Sequence, residues 1–246
     1  MKKPTKRVLI GSVLLIGVII PLFAYYLIRF RAETAKMAPL DTMEVLNGIY
    51  SIDNGFVNLF LVKGHRGYIA VDAGNSAKRV AKDMEKLKIG QDQVLAVLLT
   101  HTDADHVAGL DLFKNAKIYL SRAEEQMING QTNRTLIFKN KLDKEYEPLD
   151  DNQKLTIDGL KIKCISTPGH TPGSMCYLIN DIHLFTGDTI SLKNGQAGLF
   201  NEFFNMDSES QKKSIKKLSR LIGVQNVFTA HYGFSNDYQE VFSPYK

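Results

Sequence analysis

The stretch HTDADH, residues 101–106, places two imidazoles and two carboxylates within six positions, directly after the apolar run 94–99. Three further residues of the same types stand later in the chain, each near a glycine: His170 in TPGHTPGS, Asp188 in FTGDTI and His231 in TAHYG. Imidazole nitrogen and carboxylate oxygen are the ligands that borderline and hard divalent metals take. The pattern therefore predicts a metal site with room for two ions.

The histidines of the chain fall into two groups. For a single histidine, a hydrogen-bonded surface or core position is the ordinary interpretation. His65 in KGHRG and His183 in NDIHLF fit that interpretation. The other four stand where apolar runs end, and strand ends are favoured places for functional side chains. Their common placement favours a shared chemical role.

Short strands must carry these residues. MEVLNGIYSI, FVNLFLVKG and GYIAVDAG are separated by turn signals, and VLAVLLT is a continuous apolar run typical of a strand buried on both faces. KLTID, LKIKCIST, SMCYLIN, IHLFTGD and NVFTAHYG predict a second group of strands. Apolar spacing predicts helices at 76–88, 107–114 and 207–222, and a strand at 117–120. Two groups of strands, each closed by helices, predict a sandwich of two sheets with helices outside.

These segments resemble, in type and order, the motif series of the metallo-β-lactamase superfamily, and the resemblance covers residues 43–235. VDAG around Asp72 is similar to the supporting aspartate that this family carries after an early strand. The resemblance implies an α+β fold, the four-layer αββα sandwich. It also implies that His101, Asp103 and His170 bind a first ion, that Asp105, His106 and His231 bind a second, and that Asp188 bridges the two.

Asp103 departs from the family pattern, which usually has a histidine at that position. The exchange keeps a ligand and makes the site one charge unit less positive. A harder oxygen ligand shifts the metal preference towards iron or manganese. We expect two divalent ions, with Zn²⁺ as the first expectation and iron or manganese as the alternatives.

Hydrolysis is the reaction that the resemblance implies. Two metals would supply a hydroxide that attacks a carbonyl or phosphoryl centre, and Asp105 would orient this nucleophile. PGHTPGS resembles the form found in glyoxalase II-like thioesterases, lactonases and one group of β-lactam hydrolases. We expect a small-molecule ester, thioester, lactone or lactam as substrate. Phe138, Phe200, Phe203 and Phe204 lie in irregular segments and predict either a pocket rim or core packing.

Three alternatives remain at this point. HTDADH also resembles the domains of bacterial DNA-uptake channel proteins, which raises a phosphodiesterase or nuclease. A carboxylate at position 103 is similar to that of flavodiiron proteins, which raises a diiron redox protein. A catalytically silent metal-binding module is the third.

Residues 8–28 form an uncharged run of 21 residues. As a helix rising about 1.5 Å per residue, the run would reach roughly 30 Å, the thickness of bilayer hydrocarbon. We expect residues 1–38 to contain an uncleaved single-pass membrane anchor and residues 39–246 to form the hydrolase domain; a cleaved signal peptide is the alternative. The excess of Lys and Arg before the run places the amino terminus in the cytoplasm and the hydrolase domain outside it.

The net charge of +5 belongs to the amino-terminal segment, because residues 1–36 carry seven Lys or Arg and one Glu. The remaining chain is left with one net negative charge, which argues against nucleic acid as a partner. The sequence carries no signal for an oligomeric state. Cys164 and Cys176 are the two cysteines of the chain, and both a disulfide and two buried thiols are compatible with their spacing.

Overall fold

The computed structural model describes residues 6–134 and 139–246, with side chains described from residue 17 onward. The chain divides into two compact units, Met1–Met37 and Ala38–Lys246. The first contains helix α1 (Lys6–Thr34), which includes Pro21. Among the described residues, no helix is long and apolar enough to cross a bilayer. The predicted membrane span at 8–28 lies partly outside the described side chains, because residues 8–16 are not among them.

The first sheet has seven strands, which lie side by side in chain order. They are β1 (Met43–Leu46), β2 (Ile49–Asp53), β3 (Asn58–Lys63), β4 (Tyr68–Val71), β5 (Val94–Leu98), β6 (Lys117–Ser121) and β7 (Glu147–Leu149). Strands β1 to β4 pair antiparallel, whereas β4 to β7 pair parallel. Parallel neighbours end at the same edge of the sheet, so the loops after β4 and β5 lie close together.

The later strands form the second sheet and a separate hairpin. These are β8 (Lys154–Ile157), β9 (Leu160–Ser166), β10 (Met175–Ile179), β11 (His183–Phe185), β12 (Ser191–Lys193), β13 (Gln196–Gly198), β14 (Asn226–Phe228) and β15 (Phe234–Ser235). Six of them form the sheet in the order β15-β14-β11-β10-β9-β8, while β12 and β13 form a separate hairpin. Strands β11 and β14 are parallel, so the loops that follow them also share an edge.

The remaining helices of the domain are short. They are α2 (Ala77–Lys86), α3 (Ala104–Val107), α4 (Glu125–Asn129), α5 (Ser208–Leu218) and α6 (Tyr238–Val241). Helix α5 begins at Asp207, whose carboxylate accepts a hydrogen bond from the backbone N–H of Ser210. Helices at α2 and α5 were predicted, and both are present with shorter bounds.

The helix predicted at 107–114 is wrong in its placement. Helix α3 ends at Val107, and a separate 3-10 turn follows at Leu110–Leu112. Gly109 lies between these two elements. A Cβ atom at this position would lie 2.0 Å from the carbonyl oxygen of Ala73. The close approach of these two backbones positions the end of the HTDADH segment against the loop after β4.

Three clusters of buried side chains define the layers. One lies between the sheets and joins residues such as Phe60 and Leu98 of the first sheet to Tyr177 and Phe228 of the second. The second cluster covers the outer face of the first sheet and includes Val80 and Met84 of α2. The third packs α5 and α6 on the outer face of the second sheet. The order helix, sheet, sheet, helix is the predicted αββα sandwich.

The two cysteines are free and buried. Cys164 lies opposite Tyr177 in the pairing of β9 with β10, whereas Cys176 lies opposite Ile165. Cys164 therefore points between the sheets and Cys176 points towards the outer helices. A disulfide between them is excluded in this fold, because the two side chains lie on opposite faces of one sheet.

Candidate metal centre

Four loops at one edge of the sandwich carry the seven predicted ligands. HTDADH follows β5 and leads into α3, and His170 stands in the loop between β9 and β10. Asp188 follows β11 and His231 follows β14. The structure brings all seven side chains together, in three overlapping groups whose ligand atoms lie within 4.8 Å of one another.

The HTDADH segment changes conformation within six residues. Asp103 is in extended backbone at the start of α3, and Asp105 and His106 lie inside the helix. The rings of His101 and His106 then approach each other, with centroids 4.0 Å apart. The segment thus turns ligands from the strand end and from the helix towards one place.

We call His101, Asp103 and His170 the first half-site. Asp103 Oδ2 lies 3.1 Å from Nε2 of His170 and 3.5 Å from Nε2 of His101. The second half-site comprises Asp105, His106 and His231. Asp105 Oδ2 lies 3.7 Å from Nε2 of His106 and 3.5 Å from Nε2 of His231.

Asp188 lies between the two half-sites and turns one oxygen to each. Its Oδ2 atom is 3.2 Å from Nε2 of His170 and 3.9 Å from Nε2 of His101. Its Oδ1 atom is 3.4 Å from Nε2 of His106 and 3.2 Å from Nε2 of His231. This geometry suits a carboxylate that bridges two cations.

The donor atoms fit a metal ion. Nε2 of His101, His106 and His231 and Oδ1 of Asp188 are buried without a hydrogen-bond partner. An unpaired buried polar atom is costly, so several that face one point indicate a missing partner. Ligand atoms about 2.0–2.1 Å from a tetrahedral ion lie about 3.3 Å apart, close to the spacings given above.

Hydrogen bonds at the far side of the rings set their orientation. Nδ1 of His106 lies 2.8 Å from Oδ2 of Asp72, and Nδ1 of His231 lies 2.5 Å from the carbonyl of Phe56. Asp72 Oδ1 also accepts from the backbone N–H of Thr100 at 2.8 Å. Such outer partners direct the other ring nitrogen towards a metal. The predicted supporting role of Asp72 agrees with these contacts.

Charges within the site shift the pKa values in different directions. Burial lowers the pKa of His106, but the carboxylates of Asp188, Asp72 and Asp105 outweigh burial and raise it well above its ordinary value. Burial and the neighbouring Arg134 guanidinium instead lower the pKa of His170 to about 4. The carboxylates around His106 therefore favour a positive charge in the second half-site, whereas the Arg134 guanidinium already faces the first.

Glu124 is a functional candidate that the sequence did not reveal. Its buried carboxylate accepts hydrogen bonds from the backbone N–H and hydroxyl of Thr102, at 2.9 and 2.8 Å. It also accepts from the Thr171 hydroxyl at 2.6 Å and from the Gly173 N–H at 3.1 Å. Glu124 thereby joins the loop that carries His101 to the loop that carries His170.

Arg134 and Asn140 were also missed. Arg134 donates from Nε to Oδ1 of Asp103 at 2.9 Å and holds Nη2 at 2.5 Å from Oδ2 of the same carboxylate. Asn140 donates to Oδ1 of Asp103 at 2.9 Å. Burial raises the pKa of Asp103, yet the Arg134 guanidinium and the nearby His101 and His170 rings hold it well below its ordinary value. Neither residue belongs to a recognisable motif, so only the fold places them here.

Phe200 forms an apolar wall behind the ligands. Its buried ring lies 5.0 Å from the ring of His170 and 5.3 Å from that of His231, measured between centroids. Of the two interpretations left open for the aromatic residues, core packing describes Phe200. Phe203 and Phe204 are half-buried and contact each other, and Phe138 lies outside the described residues.

Comparison with known families gives a match over most of the domain. The family model described as the metallo-beta-lactamase superfamily matches residues 52–226. This range contains Asp72 and six of the seven predicted ligands, and His231 follows five residues beyond it.

Three curated proteins illustrate the similarity. A probable polyketide biosynthesis zinc-dependent hydrolase of Bacillus velezensis is 35% identical over 131 residues, which cover 52% of this chain and 52% of that protein. A hydroxyacylglutathione hydrolase of Shewanella halifaxensis is 29% identical, over 74% of this chain and 63% of that protein. An atrochrysone carboxyl ACP thioesterase of Aspergillus novofumigatus is 29% identical, over 58% and 40%. The chain spans about half the length of the first curated relatives that it matches.

Solved structures give the same fold at lower identity. A metallo-beta-lactamase from Cronobacter sakazakii superposes with a TM-score of 0.63 at 20% identity, covering 78% of this chain and 81% of that one. At this identity the likeness concerns the fold.

Proposed function

Because the chain belongs to the metallo-β-lactamase superfamily, we propose that it is a metal-dependent hydrolase that cleaves an acyl bond of a small molecule, with thioesters as the leading substrates. One observation carries the proposal: Asp188 turns one oxygen to each of two histidine-containing half-sites. Nε2 of His101, His106 and His231, which face it, have no hydrogen-bond partner among the described residues.

The chain's own residues determine where metal ions would bind. His101, Asp103 and His170 would hold one ion, Asp105, His106 and His231 a second, and Asp188 would contact both. Zinc is the proposed metal, since a relative is named as a zinc-dependent hydrolase. Iron and manganese are the alternatives, because Asp103 supplies a hard oxygen ligand.

When bound, divalent ions lower the pKa of a water molecule and polarise a carbonyl oxygen. Asp105 is the proposed catalytic residue. Two ligands are partly open to solvent, Asp103 with 17% of its side chain exposed and Asp105 with 21%. The Asp103 oxygens are held by Arg134 and Asn140. The Asp105 carboxylate therefore remains to accept a hydrogen bond from the attacking water and to orient it.

The protein offers no cysteine nucleophile. Burial raises the pKa of the Cys176 thiol to about 11 and that of the Cys164 thiol to about 12, so neither forms a thiolate near neutral pH. We propose instead that a water molecule oriented among the seven ligands attacks the acyl carbon. The preference for thioesters is supported by relatives that are named as a hydroxyacylglutathione hydrolase and an acyl-carrier-protein thioesterase.

The test is metal analysis combined with a substrate panel. The full chain would be purified in detergent without added metal, its metal content measured, and thioester, ester, lactone, β-lactam and phosphodiester substrates compared. We expect zinc and thioester turnover that a chelator abolishes and added zinc restores. Phosphodiester turnover alone would indicate the nuclease, iron with oxygen consumption the redox protein, and metal without turnover the silent module. Each of these three results would overturn the proposal.

We also propose, from the uncharged run at 8–28 and the cations before it, that the chain is anchored in the cell membrane with the hydrolase domain outside the cytoplasm. Carbonate extraction of membranes tests the anchor, and protease added to cells whose membrane is intact tests on which side the domain lies. Release of the chain by carbonate, or protection of the domain from protease, would contradict this proposal.

A further inference from the structure

The two half-sites differ in what already faces them. In the first, the Arg134 guanidinium contacts two of the three ligands. Its Nη2 atom lies 2.5 Å from Asp103 Oδ2 and 2.8 Å from Nε2 of His170. Those are the same atoms that face His101 and Asp188 across the half-site.

Arg134 is held in this position by further contacts. Its Nη1 donates to the carbonyl of Phe204, and its Nη2 also donates to the carbonyl of His170 at 3.3 Å. The ion pair with Asp103 is bidentate, since both Nε and Nη2 of Arg134 contact the carboxylate. A bidentate arginine–carboxylate pair is among the stronger polar contacts in proteins.

The second half-site has a different surrounding. Nε2 of His106 and Nε2 of His231 are buried and have no hydrogen-bond partner. The other nitrogens of both rings are oriented by Asp72 and by the Phe56 carbonyl. The second half-site is preorganised for a cation, and its carboxylates attract one.

The lone pair of a ring nitrogen serves one partner at a time. While Arg134 donates to Nε2 of His170, that lone pair is not available to a metal ion, and a second cation so close to Asp103 is repelled. A guanidinium is always charged in proteins, so Arg134 presents a positive charge to the first half-site throughout the ordinary pH range.

We propose that Arg134 competes with the metal ion for Asp103 and His170, so that the second half-site fills first and tightly and the first half-site fills weakly. This inference rests on the proposed function and deepens it, because it assigns an order to the two ions. The first half-site becomes complete only when the guanidinium gives up both ligands.

The test is a Zn²⁺ titration of the metal-free full chain in detergent. Binding is measured by calorimetry or by competition with a chromophoric chelator. The variants are Arg134→Gln and Arg134→Lys. The matched controls are Asn140→Ala, which removes a neutral hydrogen bond to the same carboxylate, and Arg122→Gln, which removes an exposed arginine paired with Asp150. Thermal unfolding shows that each variant is folded.

We expect two binding constants in the unsubstituted chain. Arg134→Gln should tighten the weaker binding constant by about tenfold and leave the tighter one unchanged, because it removes a positive charge that competes with the metal ion. Arg134→Lys should have a smaller effect, because lysine keeps the positive charge and loses the bidentate contact with the carboxylate. Neither control should tighten the weaker constant.

Two results would overturn the inference while leaving the proposed function intact: two equal constants in an active unsubstituted chain, or Arg134→Gln that leaves the weaker constant unchanged or weakens it. Tightening by Asn140→Ala to the same extent would also overturn it, because general loosening of the loop would then explain the effect. Failure of the folded chain to bind Zn²⁺, Fe²⁺ or Mn²⁺ at all would instead reject the proposed function together with the inference.

Discussion

The Tyr177 hydroxyl donates a hydrogen bond of 2.6 Å to the backbone carbonyl of Leu99. Tyr177 belongs to β10 in the second sheet, whereas Leu99 directly follows β5 in the first. Leu99 stands two residues before His101, so this bond ties the second sheet to the strand end that carries the first motif. Both residues are fully buried.

Replacing Tyr177 by Phe should destabilise the domain. The carbonyl of Leu99 would lose its partner inside the core, which costs about 1–3 kcal/mol of unfolding free energy. Urea unfolding followed by circular dichroism measures the difference. Tyr119→Phe, at a half-buried position of β6, is the control and should change the unfolding free energy less. Equal losses in the two variants would contradict the role assigned to the Tyr177 bond.

Replacing His106 by Ala or Asp188 by Asn should abolish turnover while the fold persists. His106 lies in α3 and Asp188 in the loop after β11, and both lie outside the three apolar clusters. We expect activity to fall by more than the roughly 10–100-fold that changes around metal ligands cause. Turnover, metal content and circular dichroism check this. His65→Ala, at an exposed histidine, should retain activity, and retained activity in the His106 variant would refute the site.

Glu124→Gln should weaken metal binding more than it weakens the fold. A glutamine has one accepting oxygen, so its NH₂ would face one of the donors from Thr102, Thr171 or Gly173. Because Glu124 positions the loops of His101 and His170, we expect metal affinity to fall by about 10–100-fold. Zinc titration and thermal unfolding are compared with those of Glu145→Gln, an exposed control. A lower melting temperature with unchanged zinc affinity would show a purely structural role.

The two thiols should resist alkylation at pH 8 until the domain unfolds. With a pKa of about 11 for Cys176 and about 12 for Cys164, the thiolate fraction in the folded state is small. These pKa values lie above the ordinary thiol value of 9.0, so folding favours the protonated form. The stability that this difference contributes is present below about pH 9 and is lost as the pH rises towards 11. Mass spectrometry after iodoacetamide treatment, with and without urea, measures the labelling; rapid labelling without urea would contradict the prediction.

Much of the architecture could be predicted from the sequence because its signals are local. The apolar runs predicted the strands that precede HTDADH, His170, Asp188 and His231, and the apolar spacing predicted α2 and α5. The hairpin of β12 and β13 was not predicted. Its strands have three residues each, which is too short for an alternation of apolar and polar residues to be recognised. The 107–114 helix failed because the break at Gly109 depends on a distant backbone, that of Ala73.

The surroundings of the ligands could not be predicted for the same physical reason. Glu124 contacts residues 22 and 47 positions away, and Arg134 contacts Asp103 and His170 across 31 and 36 positions. Each is a charged residue in a polar stretch, where a solvent-exposed position is the ordinary expectation. Only the packing of the two sheets brings such residues to the cage.

The ligands follow strands of both sheets, so they are synthesised at different times during translation. When a ribosome has translated the first sheet, the emerging chain carries His101, Asp103, Asp105 and His106, but neither the bridging carboxylate nor the last imidazole exists yet. The cage closes only after residue 231 has been made and β14 has joined β11. The complete set of ligands for a metal ion is therefore available only after nearly the whole domain has been translated.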